Sequence, residues 1–307
     1  MQAIYQKTLS KPISFVGIGL HSGKTSKVVI HPGKADQGII FERVDLNENN
    51  LIEANYSNVS SAKLCTTLEN SFGARVSTVE HLLAALYIAG IDNAKVEVDN
   101  EEIPIMDGSA KNFLDILKKT EINILDEKRK YLKILNKVEL IDGTRRIAIE
   151  PSKSFEVDFQ LIYKNKIIGK QKNIVNFNTD NIKEIVESRT FCLFEDIEKI
   201  KKSGLAKGGS LDNAIVVDQD KVLNKDGLRN EKEFVNHKIL DLAGDFLLSG
   251  YRVLGKVTCY QGGHELTNTF LRKLVKTKES ISIVKLDNPV VIKKESINPS
   301  LKIAVNA

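Results

Sequence analysis

The stretch that decides the fold is EKEFVNHKILDLAGDFLLSG, residues 231–250. Phe234 or Val235, Ile239, Leu242 and Phe246 recur three and four apart, the apolar stripe of a helix, and Gly250 ends it. On that helix His237 and Asp241 stand four apart, so both side chains leave one face about a turn from each other. An imidazole nitrogen and a carboxylate oxygen so placed suit one divalent cation such as Zn²⁺. A plain surface His–Asp pair has the same spacing, so the pair alone does not choose.

Working outward, the C-terminal part mixes strands and helices. YLKILNKVELI (131–141), RRIAIEP (145–151) and SFEVDFQLIY (154–163) read as strands, residues 182–188 and 194–204 as helices, and 204–218 as a Gly-rich turn feeding a strand. RVLGKVTCY (252–260) is a strand, GGHELTNTFLRKLV (262–275) a loop entering a helix, and ISIVKLDNPVVI (281–292) one or two strands. The N-terminal part repeats the mixture. KTSKVVIHPG (24–33), GIIFERV (38–44) and AKVEVD (94–99) read as strands, and STVEHLLAALYIAG (77–90) as a helix. Ser77 is its expected N-cap, Glu80 the capping-box partner and Gly90 the stop. EIPIMDGS (102–109) is a loop whose Ser109 caps a second helix. The polar, lysine-rich KKTEINILDEKRKY (118–131) reads as a connector or a solvated helix end. The expected organisation is therefore one α/β domain over 1–126 and another over 127–307.

Composition narrows the function classes. The chain has 307 residues, 42% hydrophobic and 28% charged, ordinary globular usage. Its longest apolar run, Leu82 to Ala89, is too short to span a bilayer. The first twenty residues lack the pattern of a secretory signal, and three cysteines far apart suggest neither a disulfide framework nor a cysteine zinc site. The expected location is the cytoplasm. Lys+Arg 45 against Asp+Glu 40 gives net charge +5, with lysines interspersed among acids and no Trp, which does not support a nucleic-acid surface. GKTS (23–26) misses the phosphate-loop pattern because Ile18 stands where its first glycine belongs.

There are five histidines, at 21, 31, 81, 237 and 264. His81 is a candidate third ligand, with Glu80 beside it as a base, although Glu80 is equally the capping partner of Ser77. His264 is a candidate proton donor, Asp245 its orienting partner, and Lys238 and Thr190 candidate oxyanion stabilisers. Local readings compete with each: a helix-cap histidine, a solvated lysine, a turn threonine.

GIGLHSG (17–23), CTTL (65–68), STVEHLLAAL (77–86), EIPIMDGSA (102–110), SRTF (188–191), HKILDLAGD (237–245) and GGHELTN (262–268), in this order, resemble the bacterial UDP-3-O-acyl-N-acetylglucosamine deacetylases, zinc amidases of lipid A synthesis. The resemblance implies an α+β fold of two similar domains, each a sheet layered on helices, with the helices sandwiched between the sheets. It implies zinc held by His81, His237 and Asp241, Glu80 as general base, and His264 as charged acid or electrostatic partner. Thr190 would contact the oxyanion, Lys238 the substrate, and Asp245 would partner His264. Further implications are an acyl passage in an insert at 190–216, lined by Phe191, Phe194, Ile197, Leu211, Ala214 and Val216, with Tyr163 as a uracil platform and Arg145 or Lys238 at the diphosphate. Cys65 matches a cysteine near the zinc and outside its ligand set. The sequence departs from the family at Phe191-Cys192-Leu193 and at Gln261, where a lysine is usual. The implied partner is the UDP-linked acylated glucosamine, with no nucleic acid, at most transient contact with a membrane surface, and a monomeric chain. The alternatives are another zinc amidohydrolase on the same scaffold, or a basic module binding anionic lipid or nucleic acid without catalysis.

Overall fold

Alternation in TSKVVIHP sets Ser26, Val28 and Ile30 inward along the strand Thr25–Pro32. In the computed structural model, which describes residues 3–287, this strand lies inside a five-stranded sheet. Its order is Ile13–Ile18, Thr25–Pro32, Ala94–Val98, Ile39–Arg43 and Leu51–Glu53. All neighbours are antiparallel except Ile39–Arg43 beside Ala94–Val98. A parallel pair needs a crossover, and this one carries helix α1, Glu80–Ala89. Helix α2, Lys111–Leu117, packs on α1.

The second domain repeats the device. Its seven-stranded sheet contains Phe155–Ile162 parallel to Arg252–Tyr260, and the intervening chain carries α3 (Lys183–Glu187), α4 (Phe194–Lys202) and α5 (Glu233–Leu247). Helix α6, His264–Lys276, follows the last long strand. The fold is α+β, with α1 against α5 between the two sheet layers. A small sheet of Phe191–Leu193, Ile215–Asp218 and Lys221–Val222 forms the insert with α4.

Three local expectations change. The stretch at 118–131 is not a connector: Ile122–Lys128 is a strand paired with Tyr5–Leu9, and Lys130–Ile134 joins the large sheet. The capping box is absent. The cap position is Val79, the Ser77 hydroxyl donates to the Glu101 carbonyl at 3.1 Å, and the Glu80 carboxylate is engaged elsewhere. Gly90 does end α1 in the left-handed region at φ 78°. Helix α5 is buried on nearly every side rather than along one stripe, because α1, α3, α6 and the strand Phe155–Ile162 surround it. Residues 288–292, expected to continue the last strand, lie outside the described residues.

Two features hold α1 in place. At its C-terminal end Asp92 accepts from Arg129 Nη2 at 2.6 Å and Arg252 Nε at 3.1 Å, and the same arginines donate to the Gly90 and Tyr87 carbonyls at 2.8 and 2.6 Å. Cations there complement the negative end of the helix. At its N-terminal end α1 crosses Gly244 of α5, where an added Cβ would lie 2.1 Å from the Glu80 carbonyl oxygen. Gly244→Ala would gain about 1 kcal/mol of helix propensity and lose about 3 kcal/mol by overpacking against rigid backbone. The expected outcome is a lower urea midpoint with an unchanged slope; an unaltered midpoint would contradict the contact.

Candidate active site

The first turn of α1 carries Glu80 and His81, and successive turns of α5 carry His237, Asp241 and Asp245 on the side facing α1. His81 Nε2 and His237 Nε2 each lie 3.3 Å from Asp241 Oδ1, with the rings nearly perpendicular at 5.0 Å between centroids. All three residues are buried, and their ligating atoms fall within 4.8 Å of one another. The pair spaced four apart on α5 thus acquires its third member from a residue more than 150 positions away in sequence.

The donors of this cluster could hold a cation. His237 Nδ1 is 3.1 Å from the Ser188 carbonyl oxygen, which can only accept, so Nδ1 carries the proton and Nε2 presents a lone pair. Burial pushes His237 down to about 3, keeping the ring neutral. Its lone pair therefore faces Asp241 Oδ1, an atom with no hydrogen-bond partner of its own. Burial alone would raise Asp241, but the positive charges of Lys238 and His264 hold it well below the usual carboxylate range. Two imidazole nitrogens and one carboxylate oxygen converging within 4.8 Å of one another are a donor set that Zn²⁺ or a similar divalent ion would suit.

Beside this cluster lies a second one. His264, the first residue of α6, has Nδ1 2.7 Å from Asp245 Oδ2, while its Nε2 is 3.7 Å from Glu80 Oε1 and 3.8 Å from Asp241 Oδ2. Burial opposes its charge, but Asp245, Glu80 and Asp241 outweigh it and push His264 up to about 10. Burial raises Glu80 above its ordinary value. The geometry sets a buried imidazolium facing a carboxylate of raised proton affinity, the arrangement expected of an acid–base pair.

The remaining expected residues fall around these clusters. Lys238 is not a solvated lysine: its Nζ is 2.9 Å from Asp241 Oδ2 and 5.7 Å from the centre of the Phe191 ring. Phe191 also meets His237 at 6.3 Å and Tyr163 at 5.8 Å between ring centroids. Thr190 is fixed by its backbone, donating to the Gly108 carbonyl and accepting from Ile215 N, both at 2.8 Å. Phe191, Phe194, Ile197, Leu211, Ala214 and Val216 all line one mainly apolar cavity of about 340 Å³, with Thr190 at its wall. Leu20, His21 and Leu64 also line it, a contribution that sequence reading missed: Leu20 and His21 lie in the GIGLHSG motif, but no apolar periodicity there points to a cavity. Arg145 is engaged by Asp142 and, at 3.4 Å, by Glu265, the neighbour of His264. Gln261 has its amide tied to the Ile162 backbone at 2.7 and 2.8 Å. The Cys65 thiol is buried and pushed up to about 12 by burial and by Glu80, which keeps it protonated.

Fold and site together define a class: an α+β protein of two layered domains that closes an imidazole–imidazole–carboxylate cluster, backed by an acid–base pair, between its central helices. The chain belongs to the LpxC family, described as UDP-3-O-acyl N-acetylglycosamine deacetylase, whose family model matches residues 6–276. It is 42% identical to the UDP-3-O-acyl-N-acetylglucosamine deacetylase of Syntrophotalea carbinolica, over 92% of this chain and 91% of that protein. The proteins of the same name from Pseudoalteromonas translucida and Shewanella frigidimarina are 39% and 41% identical, over 94% and 92% of this chain and 96% and 94% of theirs.

The charge on His264 yields a titration test. A pKa raised on folding stabilises the folded state fully below the unfolded value of about 6.5, and that contribution is lost as pH rises through about 10. In metal-free protein Asp245→Asn should bring the His264 midpoint, followed by histidine NMR, down by roughly one unit or more. An unmoved midpoint would show that Asp245 does not hold the charge.

Proposed function

We propose that this chain hydrolyses the N-acetyl group of UDP-3-O-(3-hydroxyacyl)-N-acetylglucosamine in lipid A biosynthesis, releasing acetate and the free amine, with zinc held by His81, His237 and Asp241. The observation that carries the reading is the convergence of the two imidazoles and Asp241 within reach of the buried Glu80–His264 pair. When bound, zinc would supply Lewis acidity toward the amide carbonyl and lower the pKa of a water to about 7.

The chain's own groups then divide the remaining work. Glu80 Oε1 takes a proton from the attacking water, which its raised proton affinity favours. His264, charged near neutral pH, gives a proton to the departing amine, the rival being Glu80 serving in both steps. Lys238 and the Thr190 hydroxyl stabilise the developing oxyanion, and burial strengthens each such contact. The acyl chain enters the 340 Å³ cavity, which has the apolar lining to take it. Tyr163 serves as the uracil platform and Arg145 as a diphosphate contact. The working form is a cytoplasmic monomer that touches the membrane surface only transiently.

Metal analysis and acetate release test the assignment together. Purified protein should carry about one zinc per chain, chelation should abolish acetate release, and His237→Ala and Asp241→Ala should lose both metal and activity. An Asp241→Ala protein with full zinc and full activity would overturn the ligand set. The pH–rate profile should lose one limb in Glu80→Ala and the other in His264→Ala; loss of both limbs in Glu80→Ala alone would favour the single carboxylate.

The cavity gives a separate outcome. Ala214→Phe should raise KM by roughly 10-fold or more for a long-chain substrate, with little change for a short-chain analogue. Equal effects on the two substrates would place the acyl chain elsewhere.

A further inference from the structure

Thr66 precedes the strand Thr67–Glu69 and is 2% exposed. Its backbone N–H donates to Glu80 Oε2 at 3.0 Å, and its hydroxyl donates to Asp245 Oδ1 at 2.7 Å. Its carbonyl accepts from Val79 N at 3.4 Å, just ahead of α1, a helix whose N-terminus has no side-chain cap of its own. One residue of the first domain thus holds a carboxylate on α1 and another on α5.

The two carboxylates are used in the same way. Glu80 has Oε2 fixed by Thr66 and Oε1 turned toward His264 Nε2 at 3.7 Å. Asp245 has Oδ1 fixed by Thr66 and Oδ2 on His264 Nδ1 at 2.7 Å. A carboxylate with both oxygens free can rotate and offer either one; one oxygen pinned by a buried donor removes that freedom. A hydroxyl donating to a carboxylate is also among the stronger hydrogen bonds.

We propose that Thr66 is a positioning residue for this reaction, orienting Glu80 and, through Asp245, His264, so that base and acid address the same substrate from fixed directions. The proposal deepens the deacetylase reading and rests on it. Thr66 does not touch the metal cluster, so its loss leaves zinc in place and acts on the acid–base pair.

Thr66→Val separates the two bonds, because it keeps the backbone N–H and the side-chain volume and removes only the hydroxyl. In the zinc-loaded enzyme, zinc content and KM should stay at wild-type values while kcat falls roughly 10- to 100-fold, the size expected when a charge-assisted hydrogen bond that orients a reacting group is lost. The downfield proton resonance of His264 Nδ1–H should move upfield or broaden beyond detection. Thr66→Ser restores the hydroxyl and should recover most of both. Wild-type kcat with an unmoved resonance in Thr66→Val would overturn the proposal. So would a loss of activity that tracks a loss of thermal stability and is not rescued by serine. Failure of the broader reading looks different: the wild-type protein would release no acetate, while the resonance would still report whether Thr66 holds Asp245 on His264.

Discussion

The structure depends on how closely two helices can approach. Glu80 and His81 open α1, His237, Asp241 and Asp245 line α5, and these side chains meet only because Gly244 leaves room for the α1 backbone. Any side chain at 244 would sit on the Glu80 carbonyl and push the first turn of α1 away from α5. Displacement of about 1 Å is enough to spoil a ligand or catalytic geometry. The far end of α1 is held as firmly, with Asp92 and the helix carbonyls in the grip of Arg129 and Arg252. The first helix is therefore packed closely on α5 at its start and held by Arg129 and Arg252 at its end.

Much of the architecture was legible because it is written locally. Alternation marked the strand at 94–98, an apolar, β-branched run the strand at 25–32, and periodicity marked α5. What local pattern could not settle was the use of a side chain that has a good local explanation. Glu80 three residues after Ser77 has the spacing of a capping box, yet in the folded chain its carboxylate bonds to Thr66 and faces His264. Lys238 reads as a surface lysine until α5 is found enclosed on almost every side, which places it on Asp241. The strand at 122–128 was hidden by its charges because it pairs at an exposed two-stranded ribbon, where no apolar face is required.

The i, i+4 pair on α5 was equally ambiguous by itself. The family motifs pointed to His81 as its companion, and the folded geometry brings that ring to 3.3 Å from Asp241. The cavity shows the complementary case. Its second-domain lining follows from the insert, whereas Leu20, His21 and Leu64 arrive from loops whose sequence carries no apolar periodicity. Thr66 belongs with these: it lies in CTTL, a motif visible in the sequence, but its two acceptors are 14 and 179 residues away.

The wide separation of His81 from His237 and Asp241 has a consequence for how the proposed ion would be acquired in a cell. A ribosome that has released only the first domain has supplied one of the three ligands, His81, and a lone imidazole binds divalent metal too weakly to keep it. His237 and Asp241 emerge much later and need α1 already docked to complete the grip. On the proposed ligand set, metal capture would be a late event of biosynthesis, coupled to the docking of α1 on α5, and a truncated or misdocked nascent chain would not hold the ion.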